Sequence, residues 1–137
     1  MEKLTTVAVF GTFDILHQGH IDFFRQAKAE AGLHSHLVVV VARDVNVEKV
    51  KGELPKNNEQ TRLANVKKAH HVNEAVLGGV EDKLKIVEVL APDILCLGYD
   101  QDSPEDLENQ LKKRNIIVKV RRMKPYEEHI YKSSKLT

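Results

Sequence analysis

Apolar residues in this chain gather in short continuous runs, separated by longer stretches in which they recur at helical spacing. Residues 7–10 read as a first strand, and residues 21–31 as a helix with Ile21, Phe24, Ala27 and Ala31 near one face. Residues 37–42 form a largely β-branched run without polar interruption, the pattern of a strand covered on both sides. The polar stretch 43–58 reads as a loop, with Gly52 and Pro55 arguing against regular structure late in it. Residues 59–69 are expected to be helical, and 74–77 form a short strand ended by Gly78-Gly79. Residues 82–90 read as an amphipathic helix stopped by Pro92. A buried strand at 94–97 is closed by Gly98, a helix follows at 104–114 with Pro104 in its first turn, and 118–122 is the last strand. Alternation of this kind predicts a Rossmann-like α/β fold, three layers α/β/α around a five-stranded parallel sheet.

Length and composition narrow this further. The 137 residues suffice for one domain with a proper core and are too few for two ordinary ones, so residues 1–137 are expected to form a single domain. A formal net charge of +1 gives no global reason to expect nucleic acid or membrane as partner. The cluster Lys112, Lys113, Arg114, Lys119, Arg121, Arg122 and Lys124 reads as a solvated face rather than a nucleic-acid patch. Cys96 has no second cysteine to pair with, fits a reducing compartment and reads as a small buried hydrophobe. The N-terminal residues lack the apolar block of a signal peptide, and no run approaches the roughly 20 apolar residues that span a bilayer. A cytoplasmic protein is expected.

In such a fold, ligands bind beyond the carboxyl ends of the strands. The chemically informative residues do follow strands, above all Gly11-Thr12-Phe13-Asp14-Ile15-Leu16-His17-Gln18-Gly19-His20. A strand, a Gly-containing turn and a helix start gather backbone N–H groups and a positive helix end at one point. His17 and His20, three residues apart, fall on one side of that helix start. Two imidazoles are too few for a zinc site, and no residue is assigned as a metal ligand. They read either as cap or core histidines or as donors to a phosphate chain, with Gly19 allowing close approach and Thr12 adding a hydroxyl and an N–H.

The same stretch resembles the signature of the cytidylyltransferase-like nucleotidyltransferases, which share an HxGH element with class I aminoacyl-tRNA synthetases. The resemblance covers essentially the whole chain. It implies that an acceptor phosphate attacks the α-phosphorus of ATP or CTP and that pyrophosphate leaves, with no covalent enzyme intermediate. His17, His20 and Lys51 are the implied catalytic residues. Gly11, Thr12, Phe13, Gly19, Asp100, Ser133 and Ser134 are the implied nucleotide contacts, and Asp14, Lys49, Arg62 and Tyr99 are further candidates. Lys49 and Lys51 match lysines in the loop after the second strand, whose bland reading is a solvated loop. Arg62 reads equally as a phosphate contact or a helix-surface charge. Asp100 is a candidate for the base or ribose, and Tyr99 either stacks on a ring or covers the sheet edge. Ser133 and Ser134 resemble the Ser/Thr-rich signature whose helix start faces the β- and γ-phosphates, or are a plain N-cap. The chain stops almost on that signature, so the helix that usually follows is expected to be truncated or disordered.

Within the family, the CTP-dependent glycerol-3-phosphate enzymes carry Arg-Tyr-Val-Asp-Glu-Val where this chain has His70-His71-Val72-Asn73-Glu74-Ala75. Their C-terminal signature is also not reproduced. Archaeal-type FAD synthases resemble the chain better, in Val41-Ala42-Arg43-Asp44, in Lys51-Gly52 followed by Pro55, and in Leu97-Gly98 followed by Asp100-Gln101. They resemble it too in Leu111-Lys112-Lys113-Arg114 and in the Ser-Ser-Lys ending. That likeness implies adenylylation of FMN by ATP, a divalent metal (Mg2+) held mainly through the nucleotide phosphates, and a homodimer. The alternatives are a CTP-dependent phosphoalcohol or glycerol-3-phosphate cytidylyltransferase, a heptose-phosphate enzyme, or a nucleotide-binding module without turnover.

Overall fold

A computed structural model of the protein describes residues 3–99 and 107–126. The apolar runs become five parallel strands: β1 (Thr5–Gly11), β2 (Ser35–Val41), β3 (Glu74–Leu77), β4 (Ile94–Leu97) and β5 (Lys119–Arg122). Their order across the sheet is β3-β2-β1-β4-β5. Strands β1 and β2 pair along their full length, from Thr5 opposite Ser35 to Gly11 opposite Val41. The order reverses between β1 and β4, which opens a crevice at their carboxyl ends.

Side chains alternate across the sheet, so each strand supplies two core layers. Val7, Val9, Leu37, Val39, Val41, Ala75, Ile94 and Cys96 share one face, packed with Phe24 and Ala27 of α1 (Gln18–Ala29) and Val66 of α3 (Glu59–Lys67). The alternate residues Ala8, Val38, Val40, Leu95 and Leu97 are also buried. Right-handed crossovers put α4 (Lys85–Leu90) and α5 (Leu107–Lys113) over that second face, because the chain has turned back across the sheet. Val87 and Leu111 are their buried residues. Cys96 is fully buried as expected, and burial pushes its thiol up to about 12. No helix among the described residues is long and apolar enough to cross a membrane.

Beyond shifts of one or two residues at other element ends, three elements depart from the sequence reading. Residues 43–58 are not a loop throughout, since α2 spans Asp44–Lys51. Asp44 in its first turn suits the positive helix end, Val47 is buried, and Gly52 closes it in the left-handed region at φ 83°. Gly52 therefore marks the end of a helix, not its absence. Helix α1 starts at Gln18 rather than at residue 21, because His17 caps it. Helix α4 starts at Lys85 rather than at residue 82, because the Asp82 carboxylate folds back onto Leu84 N at 3.1 Å and binds Arg114. The expected start of the α5 helix at Pro104 lies outside the described residues.

Candidate active site

Beyond the carboxyl ends of β1 and β4 lies an open cleft of about 770 Å³, lined by the 10–20 turn, Phe23, Lys51, Lys56, Gly98, Tyr99, Lys124 and Tyr126. Its floor is the HxGH turn. The backbone N–H of Gly19 donates to His17 Nδ1 at 3.0 Å, and the N–H of His17 donates to His20 Nδ1 at 3.2 Å. Each histidine thus satisfies an otherwise orphaned donor at the start of α1. An imidazole nitrogen that accepts carries no proton, so in these bonds the ring proton of each histidine is on Nε2. The rings stack with centroids 3.9 Å apart, and both line the cleft. Capping, one of the alternatives in the sequence, uses Nδ1 of both rings, which leaves Nε2 of each for the other, donation to a phosphate.

The glycines and Phe13 build this geometry. A Cβ on Gly19 would lie 2.8 Å from His17 Cε1, so only glycine lets the ring fold over the turn. A Cβ on Gly11 would lie 2.5 Å from the tip of the Phe13 ring. Phe13 adopts φ 52° and is buried, its ring meeting His20 edge-on at 5.4 Å and Phe24 at 5.2 Å. Its side chain works as a support for His20 within the turn. Burial, and then the neighbouring His17, lower the His20 pKa from 6.5 to about 4, which keeps the ring neutral near pH 7.

Arg62 is neither a surface charge nor placed to reach a phosphate. It is fully buried, and its guanidinium donates to Thr12 O (2.9 Å), Ala42 O (2.8 Å) and Asn57 O (3.0 Å), with Asp44 Oδ1 at 2.6 Å. It ties the turn after β1, the start of α2 and the segment before α3 together. Asp14 belongs to the same brace. Its carboxylate accepts from Lys56 N (2.7 Å) and Asn57 N (2.8 Å), and its carbonyl accepts from Asn57 Nδ2 (2.8 Å). Burial raises the pKa of this carboxyl, but the Asn57 and Lys56 N–H groups and the Arg62 charge outweigh it and hold it below the ordinary value.

Lys51 lines the cleft and Lys49 does not. On a helix, residues two apart point about 200° away from each other, so α2 can present only one of the two. Thr12 and Gly11 line the cleft as expected, and half-exposed Tyr99 does so from the turn after β4. That turn is held by Arg122 Nη1, which donates to Gly98 O at 2.7 Å and Tyr99 O at 3.3 Å. Lys56, Lys124 and Tyr126 also line the cleft and were not singled out in the sequence. Lys124 was read there as part of a solvated face. Asp100, Ser133 and Ser134 lie outside the described residues. The described residues bring no group of three His, Cys, Asp or Glu together to hold a metal, and Asp14, the one carboxylate lining the cleft, has backbone N–H groups on both oxygens.

The sheet reverses at its first strand and carries a self-capped imidazole pair at the crevice, the placement expected for the HxGH turn of a nucleotidyltransferase-type α/β domain. The sequence profile described as Cytidylyltransferase-like matches residues 8–136, and the chain belongs to that family. It is similar to the FAD synthase of Methanothermus fervidus, 49% identical over 118 residues that span 85% of this chain and 81% of that protein. It is also similar to the FAD synthase of Aciduliprofundum boonei, 46% identical over 124 residues, 90% of this chain and 80% of that one. Among solved structures, that of the lipopolysaccharide core biosynthesis protein from Thermoplasma volcanium GSS1 matches with a TM-score of 0.83. The two share 38% identity, over 91% of this chain and 100% of the other.

Proposed function

We propose that the protein transfers the adenylyl group of ATP to FMN, forming FAD and pyrophosphate. The FAD synthases to which it is similar supply the substrate pair. The observation that carries the chemistry is the pair of Nε2–H donors fixed by the Nδ1 bonds of His17 and His20. In this reaction an FMN phosphate oxygen forms a bond to the α-phosphorus of ATP. The bond from that phosphorus to the bridging oxygen breaks, and pyrophosphate leaves with the electron pair. The acceptor is already anionic, so the protein supplies no nucleophile. Its work is to align two polyanions and to stabilise the charge that builds on the transferring phosphate.

His17 and His20 Nε2–H and the N-terminus of α1 provide that stabilisation from groups held before substrate arrives, and Lys51 in the cleft lining adds a cation. A divalent cation, magnesium in this reading, would neutralise phosphate charge. With a backbone N–H already on each Asp14 oxygen, it would be held mainly through the nucleotide phosphates.

Pyrophosphate release with ATP or CTP, each offered FMN, glycerol 3-phosphate or a heptose 1-phosphate, tests the assignment. Release is expected with ATP and FMN. Release only with CTP, or with ATP and a sugar phosphate but not FMN, overturns the acceptor and leaves the imidazole pair in place.

A further inference from the structure

We infer that Gln26 is a positioning residue that fixes Lys124 in the cleft, where the Lys124 ammonium binds a substrate phosphate. The inference rests on the adenylyl-transfer reading and adds a cation to it. Gln26 lies on α1, two turns beyond His20, and its amide pairs with the backbone of Lys124 in both directions. The Lys124 N–H donates to Gln26 Oε1 at 2.8 Å, and Gln26 Nε2 donates to Lys124 O at 2.9 Å. The amide acts as a strand neighbour would. Its second Nε2 hydrogen goes to Asp22 Oδ2 at 2.8 Å, and because a carboxylate only accepts, this bond fixes which way the amide faces. Arg25 holds the other Asp22 oxygen at 2.8 Å.

The segment is pinned on either side of Lys124 as well. Met123 N donates to Leu97 O at 2.8 Å, and its side chain is buried in the core. Tyr126 Cβ lies 4.0 Å from the point where a Gly19 Cβ would stand, so the segment runs across the start of α1 beside the imidazole pair. Lys124 and Tyr126 both line the cleft as a result.

The reaction needs cations on two sides. An in-line displacement places the attacking and leaving oxygens on opposite sides of phosphorus. Lys51 and Lys56 reach the cleft from the chain after β2, whereas Lys124 reaches it after β5. In the order β3-β2-β1-β4-β5 these strands flank β1, whose end carries His17 and His20. Lys124 is therefore the cation of the second wall, for either the leaving pyrophosphate or the FMN phosphate.

The test is equilibrium binding of ATP, pyrophosphate and FMN, each alone, to wild type, Gln26→Leu, Lys124→Ala and the double variant. Lys124→Ala is expected to weaken ATP and pyrophosphate, or FMN, by about tenfold, the scale of one charge-assisted contact, with Lys124→Arg retaining affinity. Gln26→Leu should weaken the same ligand comparably, and the double variant should lose no more than Lys124→Ala alone. Unchanged affinity for all three ligands in Lys124→Ala, or additive losses in the double variant, overturns the inference. Lys124→Ala keeps its backbone bonds to Gln26, so it decides the phosphate contact even where Gln26→Leu fails to fold. A wild type that binds neither ATP nor FMN sinks the adenylyl-transfer reading and this inference together. A wild type that binds both, alongside variants that bind equally well, sinks this inference alone.

Discussion

The imidazole pair owes its chemistry to bonds that are structural. With Nδ1 of His20 accepting from the His17 backbone, protonation of the ring would break the bond that orients it. His20 is kept neutral down to about pH 4, first by burial and then by His17. We expect His20→Ala to fold and to lose turnover by roughly a hundredfold or more, the scale of one preorganised donor. Retained turnover would remove His20 from the mechanism. The pKa shift has a second consequence, because the unfolded ring takes up a proton near 6.5 that the native ring refuses until about 4. The native state therefore loses stability from this group as pH falls through that window. The difference in Tm between wild type and His20→Ala should narrow on acidification from 6.5 to 4; a constant gap would contradict the shift. Arg62 makes the opposite lesson at the same scale. In the sequence it sits among polar residues and reads equally as a phosphate contact or a helix-surface charge. Its burial depends on carbonyls of Thr12, Ala42 and Asn57 that converge only in the fold, so no local pattern reveals it. Arg62→Leu takes the donor from those carbonyls and the ion-pair partner from Asp44, and should cost about 3–5 kcal/mol in chemical denaturation. Arg62→Lys should recover only part of that, since an ammonium cannot reproduce the guanidinium fork.

Among the elements, the strands and most of the helix positions could be read because burial on both faces leaves an unbroken apolar signature. Helix α2 could not, since with Val47 its one buried residue it carries little apolar periodicity. Its stability comes from Asp44, held by Arg62 and bonded at Oδ2 to Glu59 N, with Glu59 Oε1 returning a bond to Asp44 N. The start of α1 was missed for a related reason, as histidine is not a usual N-cap and the Nδ1 bond that makes it one is a feature of the turn. This local arrangement separates two effects of one substitution. Gly19→Ala improves helix propensity by about 1 kcal/mol, yet its methyl would meet the His17 ring at 2.8 Å. The His17 ring must shift, and with it the donor pair. We expect Gly19→Ala to keep or raise thermal stability while turnover falls at least about tenfold, as misplacement of a reacting group does. Equal turnover in the two proteins would show that the position of His17 does not matter.

Across the whole molecule, the alternation of runs was enough to point to the sheet's carboxyl edge, where the cleft lies, and the turn after β1 carries the residues proposed for its chemistry. What the sequence left out was Lys56 beside Lys51 and, on the opposite wall, Lys124. Lys56 and Lys124 lie in polar stretches that look solvated, and they join the cleft only through Asp14 and Gln26, more than 40 and nearly 100 residues away in the chain. Their arrival changes the electrostatics. The chain is almost neutral at +1, but among the described residues its cleft is lined by Lys51, Lys56 and Lys124 and by one carboxylate, Asp14, already bonded to backbone N–H groups. A neutral protein with a cationic cleft attracts polyanions locally and not over its whole surface. Salt should therefore act on binding more than on folding. Raising the ionic strength from about 0.05 M to about 0.5 M shortens the screening length several-fold, and KM for both ATP and FMN should rise several-fold with it. The Tm should barely move over the same range, because Arg62, whose guanidinium pairs with Asp44 at 2.6 Å, is fully buried and shielded from mobile ions. A KM indifferent to salt would mean that these lysines face solvent rather than substrate, and the second wall would then be a matter of shape alone.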